Sequence, residues 1–147
     1  APLLSLALQG GGSYGAFTWG VLDRLLEEPD LRFDAISGAS AGAVNAALMA
    51  SGLVEGGRDG AREKLEKFWK RMSASSAFLP LSVIPPGVEA LAQALSPYQF
   101  NPFDLNPLRR ALESEIDFAR LRSSQAPRLL IATTRVWDGA LRIFRND

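Results

Sequence analysis

Twice near its start the chain passes from a short apolar run into glycine and then into helical spacing. "LLSLAL", Leu3 to Leu8, stops at Gln9 and the three glycines Gly10, Gly11 and Gly12, as a buried strand ending in a turn does. From Gly15, the residues Phe17, Trp19, Val21, Leu22, Leu25 and Leu26 recur with the period of a helix until Pro29 interrupts them. "FDAIS", Phe33 to Ser37, has the make-up of a second strand. A second helix is expected from Ser40 or Ala41 to Gly52, with Gly52 as its C-cap. Strand, helix, strand, helix is the order of a parallel sheet covered by helices, so the fold class expected is α/β.

The remainder adds elements without changing that class. A glycine-rich linker, Gly56 to Gly60, leads into "AREKLEKFWKRM", where Leu65, Phe68, Trp69 and Met72 share one helix face. From Ser73 to Pro107 the chain is apolar but interrupted by prolines, with one short helix expected near Val88 to Leu95. Asn106 and Pro107 have the form of an N-cap followed by proline at the first helical position, opening a helix to about Glu115. "RLLIATTRV" and "LRIFR" flank "WDGA" as two strands joined by a tight turn.

Composition narrows the function. With 147 residues, 47% hydrophobic and 22% charged, the chain is expected to form a single soluble domain spanning 1–147. Sixteen basic and sixteen acidic residues cancel, and the basic ones are scattered, so nucleic acid is not an expected partner. No apolar run reaches the length of a membrane span. Cysteine is absent, which rules out a disulfide framework and a thiolate metal site and permits a cytoplasmic location. Histidine is absent too, which removes the usual general base of serine hydrolases.

Both glycine stretches can carry chemistry. "GGGSYG", Gly10 to Gly15, satisfies the spacing of a dinucleotide-binding turn. That reading needs an acidic residue at the end of the second strand, whereas Asp34 lies at its beginning. The end of the strand holds instead Gly38-Ala39-Ser40-Ala41-Gly42, a G-x-S-x-G pattern. A serine there is lifted above the sheet on a sharp strand-to-helix turn, and small neighbours let the strand and helix backbones approach. Taken singly, the serine is as readily a helix cap and the glycines a simple turn. Taken together, at the ends of neighbouring parallel strands, they put backbone N–H groups beside a hydroxyl that stands at the positive end of a helix.

On these residues, "LALQGGGSYGAFTWGVLDRL" followed by "FDAISGASAGAVNAALMASG" resembles the patatin-like phospholipases, and "RLLIATTRVWDGALRIFRN" is similar to a later strand pair of that family. The resemblance implies a three-layer α/β/α fold with a mostly parallel central sheet. It implies lipid acyl hydrolysis by a serine–aspartate dyad with no metal and no cofactor, which agrees with a chain without histidine. It assigns the nucleophile to Ser40 and the oxyanion loop to Gly10, Gly11, Gly12 and Gly15. The expected partner is a lipid ester, with contact at a membrane surface. Tyr14 stands where the family often carries a basic residue.

Asp138, in Asp138-Gly139-Ala140, spells the family's aspartate motif and is a candidate dyad base. It is a disfavoured one: Asp-Gly between two strands signals a type I′ hairpin turn, and a carboxylate at a hairpin tip faces water rather than a nucleophile. The expectation is therefore an incomplete patatin-like domain, cut short at its C-terminus, whose base lies beyond Asp147. The competing expectations are a nucleotide-binding α/β domain using the Gly10 to Gly15 loop, and a non-catalytic lipid-binding or interaction module.

Overall fold

The computed structural model describes residues 2–74, 107–122 and 126–147. Four strands form one sheet in the order β1 (Leu3–Leu8), β2 (Arg32–Ala39), β3 (Arg128–Thr134), β4 (Leu141–Arg145). The first three are parallel and the last is antiparallel. A 3₁₀ turn (Gly12–Tyr14) leads into α1 (Gly15–Leu26), and β2 leads into α2 (Ala41–Ala74). Two short helices, α3 (Pro107–Glu115) and α4 (Phe118–Leu121), precede β3. The mixed α/β class read from the sequence is the one observed. The segment 75–106, including the expected helix at Val88 to Leu95, lies outside the described residues, as does the expected cap Asn106.

Alternation along the strands separates the two faces of the sheet. Ile36 and Gly38 are buried together with Leu129, and Leu6, Leu8 and Ile131 pack against the same core. Successive parallel strands joined by right-handed crossovers put both connecting helices on one face. Accordingly α1 packs on α2, and the second half of α2 supplies Leu65, Phe68, Trp69 and Met72 to the core. The opposite face carries Ala7, Ala39, Leu130, Ala132 and Ile143. Toward the Ser40 end it is largely apolar, as the second covered face of a doubly wound sheet is, whereas Ser5, Arg128 and Arg145 lie on it at the other end; among the described residues no helix lies on it.

Helix α2 differs from the sequence expectation. Gly52 is not a C-cap but a buried residue within the helix, and the break falls at Gly56 (φ −146°, ψ 20°) and Gly57 (φ 64°, ψ −148°). Beyond it the chain doubles back so closely that a Cβ on Gly52 would lie 2.3 Å from Cα of Ala61. Gly52 is glycine because two helical arms cross there. Arg58, just past the break, reaches the carbonyls of Leu26, Pro29 and Leu31 and so closes the C-terminus of α1.

Candidate active site

Parallel pairing brings the ends of β1 and β2 together, with Leu8 opposite Gly38. The two glycine motifs therefore meet at one edge of the sheet. Ser40 follows β2 directly and has φ 52°, the sole positive φ at a non-glycine position among the described residues. A side chain held in that sparsely populated region is strained, and such strain persists only where the surroundings impose it. The carbonyl of Ser40 accepts from the N–H of Val44 at 3.1 Å, so helix α2 starts on this residue. Its side chain is exposed, and Oγ has no hydrogen-bond partner among the described residues. Ser40 is thus not a side-chain cap.

The flanking glycines are dictated by packing. A Cβ on Gly38 would stand 2.5 Å from the carbonyl carbon and oxygen of Gly42, and one on Gly42 would stand 2.1 Å from the carbonyl oxygen of Leu8. Only hydrogen fits at these contacts, which lets the first turn of α2 sit directly on the strand ends. The glycine loop closes the other side. A Cβ on Gly10 would lie 3.0 Å from Cβ of Ser40 and 3.0 Å from the Ala39 carbonyl oxygen. Gly11 (φ 148°) and Gly12 (φ 58°) hold backbone angles that side chains rarely adopt. The N–H groups of Gly10, Gly11 and Gly12 donate to no described residue.

Gly15 stands apart from these three. Its N–H donates to the carbonyl of Gly12 in the turn that begins α1, so it is not free to meet a ligand. Its lack of a Cβ makes room for Trp69, whose ring carbons would lie 2.7 Å from one. Sequence reasoning missed the contact that explains this. Asn45, fully buried on α2, donates from Nδ2 to the Gly15 carbonyl at 2.9 Å and accepts from Trp69 Nε1 at 2.8 Å. The available signal was a lone polar residue, of poor helix propensity, within the apolar stretch "AGAVNAALMA".

Asp138 lies on the loop between β3 and β4. That loop is longer than the two-residue type I′ turn expected: Arg135 N–H donates to Ala140 O and Gly139 N–H to Arg135 O, each at 2.9 Å, enclosing four residues. Gly139 (φ 70°) alone takes a positive φ. The Asp138 carboxylate is exposed, pairs with the Arg135 guanidinium and accepts from the Ala140 N–H at 3.0 Å. The Arg135 hydrogen bond foremost, then the Ala140 amide, holds its carboxyl below the usual carboxylate range. Asp34, the acidic residue a dinucleotide site would need, pairs with Arg128 at 2.7 Å at the far end of the sheet from the glycine loop.

The profile of the patatin-like phospholipase family matches residues 6–146. The chain belongs to the patatin-like phospholipase family. Its match takes in both glycine motifs and the β3–β4 hairpin. Among solved structures, this patatin-like chain is similar to the heterodimeric ExoU–SpcU complex from the type III secretion system of Pseudomonas aeruginosa, at 24% identity and a TM-score of 0.46. The alignment covers 98% of this chain and 32% of that one, so the chain spans about a third of that structure's length. No curated protein matches the patatin-like chain. Among its described residues no helix is long and apolar enough to cross a membrane.

Proposed function

We propose that the chain carries the nucleophile and oxyanion loop of a serine hydrolase acting on ester-linked acyl chains of lipids. The observation that carries this reading is Ser40 itself, held at φ 52° with an exposed hydroxyl while Gly10 comes within a methyl group's reach of it. In this mechanism Ser40 Oγ attacks the ester carbonyl carbon as its proton passes to an aspartate carboxylate. The carbonyl oxygen becomes an oxyanion held by the unengaged N–H groups of Gly11 and Gly12, beside the positive end of α2. Collapse expels the alcohol, which takes the proton back from the aspartate and leaves an acyl ester on Ser40. Water, deprotonated by the same carboxylate, repeats the addition and releases the fatty acid and the free serine.

The base in this scheme is not Asp138. A carboxylate already paired with Arg135 and lowered in basicity is a poor proton acceptor, and an aspartate beyond residue 147 of a longer chain fills that place in the proposal. Contact with a lipid surface is favoured by exposed apolar residues at the Ser40 end of the sheet: Tyr14 and Phe17 beside the glycine loop, Val136 and Trp137 on the hairpin that extends β3. Labelling tests the reading. A fluorophosphonate probe should tag the full-length protein on Ser40 and should not tag Ser40→Ala. Absence of labelling in the unmodified full-length protein, with hydrolysis of lipid esters also lacking, would favour the non-catalytic lipid-binding alternative.

A further inference from the structure

We propose that Asn45 is a positioning residue for the oxyanion loop, fixing the Gly10 to Gly15 turn relative to Ser40 through its paired hydrogen bonds to Gly15 and Trp69. This inference rests on the hydrolase reading above and assigns a function to a residue that touches neither substrate nor reacting atoms.

The argument begins with what each partner can do. The indole N–H of Trp69 can only donate and the carbonyl of Gly15 can only accept. A buried group between them must accept from one and donate to the other, and the Asn45 amide does both, at 2.8 and 2.9 Å. Its orientation is forced by this pairing. A buried polar side chain with both ends satisfied locks geometry more sharply than apolar packing of similar volume, since rotation in either direction breaks a bond.

The placement of the three residues gives the lock its consequence. Gly15 is the residue at which the glycine turn becomes α1, and Asn45 lies on the helix that Ser40 immediately precedes, about one and a half turns further on. Trp69 belongs to the second arm of α2, and its ring fills the space that a side chain on Gly15 would need. Through Asn45, the helix that begins at the serine holds the far end of the loop whose amides face the serine. The turn is tied to Gly15 through backbone bonds, the Gly15 N–H to the Gly12 carbonyl and the Tyr14 N–H to the Gly11 carbonyl, while Gly11 and Gly12 themselves are exposed or half-buried and a Cβ on Gly12 would meet nothing within 4 Å. Displacing Gly15 therefore swings the amides of Gly11 and Gly12 away from where the oxyanion forms.

A positioning role affects the transition state more than the ground state. In the full-length enzyme, Asn45→Asp keeps the shape and the bond from Trp69 but removes the N–H that holds the Gly15 carbonyl. Trp69→Phe removes the indole N–H while leaving an aromatic ring, and it carries the test if Asn45→Asp does not fold. The readouts are kcat and KM on a lipid ester, the affinity for a long-chain alkyl trifluoromethyl ketone, which forms a tetrahedral adduct with the serine, and the affinity for an unreactive ether analogue of the substrate. The expected result is a fall in kcat and in trifluoromethyl ketone affinity of roughly 10- to 100-fold, with KM and ether affinity essentially unchanged. Equal loss of affinity for both ligands, or no loss for either, overturns the proposal. Failure of the hydrolase reading is separately visible, because the unmodified enzyme would then show neither turnover nor Ser40 labelling.

Discussion

Gly10 and Ser40 stand so close that a methyl group on the first would lie 3.0 Å from Cβ of the second. The contact joins two strands' ends across the sheet and leaves no slack for a side chain. Gly10→Ala is expected to push the serine turn by a few tenths of an ångström and to lower ester turnover roughly 10- to 100-fold. Overpacking of this kind costs about 1 kcal/mol of stability, so thermal melting should register only a small shift. A variant that melts normally and turns over substrate at the unmodified rate would show that the loop and the serine act independently.

Two glycines on helices should respond to alanine in opposite directions. Gly42 presses against the Leu8 carbonyl, where a Cβ would sit 2.1 Å from oxygen, so Gly42→Ala should cost about 3 kcal/mol or more. Gly20, exposed in the middle of α1, has nothing within 4 Å of its would-be Cβ. Gly20→Ala should stabilise by about 1 kcal/mol through helix propensity. Denaturant midpoints of the two variants, compared with the unmodified protein, check both signs.

Much of this arrangement was legible in the sequence because it depends on local rules. The strands at Leu3 and Phe33 and the helix at Gly15 follow from hydrophobic period, and the G-x-S-x-G spacing carries its own steric requirement. Gly52 was misread because a glycine at the end of an apolar period signals a cap, whereas here it marks a crossing with Ala61 that local sequence does not encode. The hairpin was anticipated but its loop was not: Asp138 accepts the Ala140 N–H and Arg135 closes a four-residue loop, so one glycine in the left-handed region suffices. The Asn45 link to Trp69 joins residues on two arms of α2 whose doubling back only the fold reveals.

Asp138→Asn discriminates between the motif and the geometry. The carboxylate braces its own loop through Arg135 and the Ala140 amide, and its loss should loosen the hairpin without touching the nucleophile. In the full-length enzyme kcat/KM on a short-chain nitrophenyl ester is expected to stay within about threefold, a surface-substitution effect. Abolished hydrolysis with an unchanged melting temperature would reinstate Asp138 as the base.

The Asp23 carboxyl lies below the ordinary carboxylate range chiefly because the Arg62 guanidinium donates to it at 2.8 and 3.1 Å, joining α1 to the second arm of α2; burial pulls the other way and offsets part of this. A carboxyl more acidic in the folded state than in the unfolded one adds stability above its unfolded pKa and loses it as pH falls through the folded value. Asp23→Asn should therefore cost about 0.5 kcal/mol at neutral pH, typical of a half-exposed pair. The difference from the unmodified protein should shrink on acidification below about pH 4. Denaturation at several pH values gives the comparison, and a gap that widens toward acid would contradict the pairing.

Trp137 is 79% exposed at the tip of the hairpin that continues β3 past the level of Ser40, with the Arg135 guanidinium 5.2 Å from its ring centroid. An indole is amphipathic and gains most at a boundary between water and hydrocarbon, where its ring meets the acyl chains and its N–H stays hydrated. A neighbouring guanidinium suits the phosphate level of the same boundary. If this end of the molecule meets the substrate at a lipid surface, Trp137→Ala should weaken binding of the full-length protein to phosphatidylglycerol-containing vesicles by roughly 10-fold, the equivalent of burying about 50 Å² less apolar area. Turnover of a monomeric soluble ester should remain unchanged, since Trp137 takes no part in the chemistry. Equal loss on vesicles and on the soluble ester would mean instead that the hairpin supports the site itself, and no loss on either would move the lipid-facing surface elsewhere.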